Sequence, residues 1–309
     1  HGKSIAYVLL SRPDVASAFI QAVRTHTRAR VIYYGHDIHF WRCQREYAVN
    51  KSLAAKKEAQ RVETVEKAVW RQVDSVLYPS EEEAAFVDAT VGRHVAMSVP
   101  IRQFEITAAD VSENLQHRNG ILFVAGFAHP PNVDAAGWFV RDIFPLIKQQ
   151  YPGVKLTLVG SNPTAAVRKL AADDIEVTGY VTDEVLDAYY RKARVAVIPL
   201  RFGAGVKGKV LEAMACGLPI VTTSVGMQGL ESATGAALVA DTEQAFSEAT
   251  LSLLENDGLW RSNSSAGASF IAGHYSKSKL SSALESGLSS SASPAARRFS
   301  ETQESIGYS

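Results

Sequence analysis

The chain has 309 residues, room for roughly two domains at about 150 residues each, which excludes a small disulfide-stapled scaffold. Lys plus Arg and Asp plus Glu each number 32, so the formal charge is zero; this argues against a globally basic nucleic-acid binder, and no nucleic-acid partner is expected. Apolar residues at 46% beside 21% charged describe a folded chain rather than a disordered one.

Cys43 and Cys216 lie far apart and form no Cys-x-x-Cys or His/Cys cluster, so neither a disulfide framework nor a metal site is indicated, and a reducing, cytoplasmic setting fits best. No apolar run approaches the roughly 18 residues that cross a bilayer, and the start lacks the plan of a signal peptide. The first residue is His1, so the sequence reads as processed or as a fragment.

In chain order, residues 5–10 and 29–34 are predicted strands with a helix over about 15–24 between them. A long helix is expected over about 45–72, its Val62, Val65 and Val69 sharing a face. A short strand follows at 76–78, and Ser80-Glu81-Glu82-Glu83 is a capping box opening the next helix. Residues 1–100 thus form a partial domain with too few strands for a doubly wound sheet of normal size, and the polar stretch 101–118 reads as a linker. From 119 to 280 the rhythm is clear. Strands at 121–125, 155–159, 175–178, 195–200 and 220–223 alternate with helices at 132–148, 163–171, 182–192, 207–215 and 241–255, the last opened by an approximate capping box at Asp241. Alternation implies a parallel, doubly wound α/β sheet, with ligands at the carboxyl ends of its strands. Residues 281–309 hold ten serines and few large apolar groups, and are expected to be disordered.

Charge is uneven. Residues 12–72 carry twelve Lys/Arg against six Asp/Glu, either a solvated helix surface or a basic face for an anionic lipid or acceptor.

The most informative stretch runs from Val195 to Leu230. It sets the loop Gly203-Ala204-Gly205-Val206-Lys207-Gly208 between a buried strand and a helix, where backbone amides and the helix dipole attract phosphate. The spacing of Gly203, Gly205 and Gly208 matches the dinucleotide fingerprint, but the next strand ends in Thr and Ser rather than the acidic residue that holds a ribose. Gly203, Gly208 and Lys209 nearly match a P-loop, yet Val210 stands where a hydroxyl must hold magnesium.

Taken whole, Arg201 to Thr223, with Glu212-Ala-Met-Ala-Cys-Gly-Leu-Pro219 at its centre, resembles the donor-binding signature of the group 1 (family four) retaining glycosyltransferases of GT-B fold. GILFVAGF, PNVDAAGWFV, KLTLVGS, IEVTGYV and HYS follow in the family's order over about 121–276. More weakly, Tyr33-Tyr34-Gly35-His36-Asp37 and Tyr78-Pro79-Ser80 resemble the late part of its acceptor-side domain. The resemblance implies two Rossmann-like domains, the N-terminal one truncated, and transfer of a sugar from a nucleoside diphosphate sugar to a glycan or lipid-linked acceptor with retained configuration. It implies no cofactor and no metal, the donor being a substrate.

Residue by residue, the resemblance implies that Glu212 bonds the ribose hydroxyls. Gly126, Gly203, Gly205 and Val206 line the donor, and Lys207 stabilises the diphosphate. Arg201 is a second phosphate candidate; Tyr180 meets the nucleobase or merely packs; His36 contacts the transferred sugar or is ordinary structure. The expected catalytic set is His36, Lys207 and Glu212. Two departures stand out: Ala204 occupies the place of the family's frequent second Glu, and the loop from Gly126 to His129 lacks the usual Arg and Lys for phosphate. A GT-B relic that binds a nucleotide without transfer is the alternative, and peripheral membrane contact through the basic N-terminal segment is a further expectation.

Overall fold

The computed structural model describes residues 5–105 and 115–289. It contains two parallel sheets, each sandwiched by helices: the C-terminal one is as the alternation predicts, and the N-terminal one has four strands rather than the three read from the sequence. The N-terminal sheet joins β1 (Tyr7–Ser11), β2 (Arg30–Tyr34), β3 (Ser75–Tyr78) and β4 (Ala96–Ser98) in that order. Its helices are α1 (Pro13–His26), α2 (His39–Asn50), α3 (Leu53–Gln72) and α4 (Glu81–Val91). The single helix expected over 45–72 is therefore two. Lys51 turns left-handed at φ 55°, and Ser52 caps α3 by accepting from the Ala55 amide; Val62 and Val69 nonetheless share the buried face. The strand at 96–98 was hidden by its shortness.

The C-terminal sheet comprises β5 (Ile121–Val124), β6 (Leu156–Val159), β7 (Ile175–Gly179), β8 (Val195–Ile198), β9 (Ile220–Thr222) and β10 (Ala237–Val239). Their order across the sheet is β10-β9-β8-β5-β6-β7, all parallel. The order reverses between β5 and β8, which places a crevice at their carboxyl ends. The helix expected over 132–148 is α5 (Pro130–Trp138), a π turn at Phe139–Ile143, and α6 (Phe144–Gln150). Pro145, lacking an N–H, interrupts the regular ladder there. Only Ala165–Arg168, α7, is helical within 163–171. Next come α8 (Asp183–Lys192), α9 (Gly208–Ala215) and α10 (Glu243–Glu255). The cap of α10 is Thr242, not Asp241, whose carboxylate instead holds Ser224.

Two helices were not foreseen, α11 (Asp257–His274) and α12 (Lys277–Ser289). The second corrects the expectation of disorder from residue 281: the chain is helical to Ser289. Leu280, Ala283 and Leu288 of α12 pack on Ile32, Leu77 and Val99 of the N-terminal domain, so a serine-rich helix is held by a sparse apolar stripe. Residues 290–309 and the middle of the expected linker, 106–114, lie outside the described residues. Among the described residues no helix is long and apolar enough to cross a membrane.

Candidate active site

Strand β8 is wholly buried and delivers the Gly-rich loop to the β5/β8 crevice. Gly205 has φ 69°, and a Cβ there would lie 2.8 Å from Asp37 Cβ and 2.9 Å from the His36 carbonyl. Only glycine satisfies both the dihedral and the approach. The loop of one domain thus rests on the His36-Asp37 turn of the other. Arg45 of α2 adds a second bridge, donating to the Gly203 carbonyl at 2.9 Å and to Gln228 Oε1 at 2.8 Å.

Lys207 is the N-cap residue of α9 and offers its amides no side-chain acceptor. Its ammonium bends back onto the Ala204 and Gly205 carbonyls, at 3.1 and 2.5 Å. Burial, then the neighbouring Arg45, pulls its pKa down to about 8. Lys209, in the first turn of α9, donates to Asn132 Oδ1 at 2.7 Å and lies 5.0 Å from the centre of the Phe123 ring. Burial, then Lys207, lowers it to about 7. Asn132 Nδ2 in turn donates to the Gly126 carbonyl at 2.9 Å, joining the loop after β5 to the loop after β8.

Glu212 follows one turn later. Oε1 accepts from Arg102 of the interdomain segment, and Oε2 accepts from the Tyr190 hydroxyl at 3.2 Å. Burial and the Glu212 charge keep the Tyr190 phenol protonated.

On the N-terminal side, α2 lacks a side-chain cap of its own. Two buried carboxylates substitute: Glu83 accepts from the Ile38 amide, and Glu66 from the His39 and Phe40 amides. Glu66 also accepts from the Tyr78 hydroxyl at 2.9 Å, and Glu83 from the Ser80 hydroxyl at 2.8 Å. Negative charge at a helix N-terminus is favoured, and this pair fixes the turn bearing His36. The His36 ring is exposed, within 3.1 Å of Ser11 Oγ, and partial burial lowers its pKa. Asp37 is buried and paired with Arg42 and His39.

The structure brings His36, Gly203, Gly205, Val206 and Lys207 to one place, with Glu212 one helical turn below and Gly126 linked through Asn132. Arg201 is turned away, forked onto Asp134 and lying over Trp138. Tyr180 is 78% exposed at the end of the edge strand β7, which removes the packing alternative. Sequence reasoning missed Arg102, Tyr190, Asn132 and Lys209. Lys209 was visible only as part of a failed P-loop match; Arg102 sat in a stretch read as linker. A cleft of about 450 Å³ opens beside the site, lined by Glu46 and Val49 of α2 and by Phe127, Pro130, Val133 and Phe202.

Two facing Rossmann-like domains with a Gly-rich loop at the switch point define the GT-B fold, and solved structures share it. Sucrose-phosphate synthase from Thermosynechococcus elongatus superposes with TM-score 0.70 at 20% identity, over 91% of this chain and 72% of that one. TarM gives 0.70 at 13%, over 92% and 54%. Anabaena HepE, in complex with UDP and glucose, gives 0.67 at 14%, over 91% and 77%.

Within this fold, residues 118–256 match the family model Glycosyl transferases group 1; this part of the chain is a group 1 glycosyl transferase domain. A Klebsiella pneumoniae protein described as an uncharacterized 44.6 kDa protein in cps region is 27% identical over 176 residues. That alignment takes in 54% of this chain and 45% of the Klebsiella protein, less than half its length.

Proposed function

We propose that the protein moves a sugar from a nucleoside diphosphate sugar to a hydroxyl of a glycan or lipid-linked acceptor, with retention of configuration. The observation that carries this reading is the convergence, at the β5/β8 crevice, of the Gly-rich loop, two lysines and Glu212 opposite His36. HepE, described in complex with UDP and glucose, supports uridine diphosphate sugars as the first donors to test.

In this reading Glu212 receives the ribose diol. A carboxylate has about four lone-pair sites; Arg102 and Tyr190 take one on each oxygen, which leaves one on each for the two hydroxyls without displacing either partner. The acceptor hydroxyl oxygen attacks the anomeric carbon, the bond to the diphosphate oxygen breaks with its electron pair, and the hydroxyl proton passes to the leaving diphosphate. Lys207 and the loop amides stabilise the charge that builds there. His36 stands on the opposite wall, where it would meet the transferred sugar. Because lysines and amides do the neutralising, transfer is expected to persist in EDTA. Glu212→Ala is expected to abolish sugar transfer, measured with radiolabelled donor; near-normal transfer by this variant sinks the assignment.

Ala204, which offers only its carbonyl, to Lys207, favours a second reading, nucleotide binding without transfer. Calorimetric binding of a nucleoside diphosphate with no radiolabel transferred would support it. Peripheral membrane contact belongs to the proposal too. Leu53, 70% exposed, and exposed Val49 sit with Lys51, Lys56 and Lys57 at the α2–α3 corner, whereas Arg24, Arg42, Arg61 and Lys67 are ion-paired. Co-sedimentation with phosphatidylglycerol vesicles tests it, with loss on Leu53→Asp expected.

A further inference from the structure

Lys209 carries a charge that the described structure leaves without a counter-ion. Its one hydrogen-bond partner is the neutral Asn132 side chain, beneath it lies the Phe123 ring, and among the described residues it pairs with no carboxylate. An ammonium has three donors, and enclosing it without an anion is costly. Lys207 bonds to two carbonyls and likewise pairs directly with no carboxylate among the described residues, although the charges of Asp37 and Glu83 reach it. The groups whose charges reach Lys209 are Lys207 and Glu212 on α9 itself and His129 at the start of α5. Two ammoniums thus lie at one end of α9, close enough for Lys207 to lower the pKa of Lys209, and among the described residues neither is bonded to a carboxylate. The adjoining loop from Gly126 to His129 contains no Arg or Lys, and Asn132 is the side chain that ties that loop to Lys209.

We propose that Lys209 is a second cation of the diphosphate site, reaching the phosphates from the α5 side while Lys207 reaches them from the Gly-rich loop. Charge that the β5–α5 loop lacks is supplied from α9 across the crevice. Two cations on either side of one crevice suit a ligand with two linked anionic groups, and binding of that ligand relieves the repulsion between them. The inference rests on the donor reading above and adds to it a residue and a division of labour between the lysines.

The test is calorimetric binding to the whole chain of whichever of UDP, GDP, ADP or dTDP the wild type binds, beside the matching nucleoside. Lys209→Met keeps the aliphatic stem over Phe123 and removes only the charge. It is expected to weaken the diphosphate by about tenfold or more and to leave the nucleoside within about twofold. Lys209→Arg is expected to restore most of the loss, and circular dichroism checks that each variant is folded. Unchanged diphosphate binding by Lys209→Met, or equal weakening of diphosphate and nucleoside, overturns the role of Lys209 and leaves the donor reading standing. No binding of any of the four by the wild type overturns both. If Lys209→Met does not fold, Lys209→Gln, which can still bond Asn132, is measured under the same criteria.

Discussion

Gly205 shows how one residue can set both the shape of a loop and the contact between two domains. Its φ of 69°, and the 2.8 Å that would separate an added methyl carbon from Asp37 Cβ, mean that Gly205→Ala must either strain the loop or push the domains apart. We expect a loss of about 1–3 kcal/mol in thermal or denaturant unfolding together with weaker nucleotide binding. The lysines set a second expectation at this scale. With Lys207 near 8 and Lys209 near 7, each loses its proton as pH rises through those values, and a bound dianion favours the protonated forms. Diphosphate affinity should therefore fall between about pH 7.5 and 9, where the ligand's own phosphates no longer titrate. A flat calorimetric profile over that range would contradict the assignment. Of the site residues, Gly205, Lys207 and Glu212 were legible because a short loop between a strand and a helix must put them near one another. Arg102 and Tyr190 were not, since what draws them to Glu212 is the meeting of segments more than twenty positions away, which no local pattern encodes.

At the scale of elements, the start of α2 stands out because its cap comes from other helices. Glu83 is 2% exposed and its pKa is raised to about 7, chiefly by burial. A carboxyl whose folded value lies above its unfolded 4.5 contributes stability at low pH that is lost as pH rises from there toward 7 and beyond. Glu83→Gln keeps an acceptor for the Ile38 amide and a group for the Ser80 hydroxyl while removing the ionisation. At about pH 8 it should be as stable as the wild type, or more stable by on the order of 1–3 kcal/mol, whereas Glu83→Ala should destabilise by about 2 kcal/mol by orphaning the Ile38 amide. Denaturant titration of the three proteins decides this. The capping box at Ser80 was readable, and the Ser80 hydroxyl does accept from the Glu83 amide. That Glu83 would turn from its own helix end to cap another was not, because the reciprocal half of the motif competes with a tertiary partner.

Across the whole molecule, strand–helix alternation sufficed to foresee the C-terminal parallel sheet and the strand ends at which its crevice lies, whereas the N-terminal sheet was expected only from the family resemblance. The failures, β4, β10, α11 and α12, are short or weakly apolar elements whose stability comes from what they pack against. For α12 that support is Ile32, Leu77 and Val99. Removing residues 277–309 should uncover these side chains and lower the melting temperature of the N-terminal domain, at about 1–3 kcal/mol per large side chain exposed, with amide exchange at β3 accelerating first. If β3 exchanges no faster, the helix contributes nothing to that domain.

Because α12 returns to the first domain, the described residues cross between the domains twice, once before β5 and once at Ser276. The two crossings are fastened side by side, for the Phe104 amide donates to the Tyr275 carbonyl at 2.9 Å. Paired strands of covalent chain bolted together behave as a single hinge pin: they resist separation and shear of the two lobes and leave rotation as the easy motion. Any opening between the lobes then has a fixed axis, and among the bonds it must release are those from Arg45 to Gly203 and Gln228.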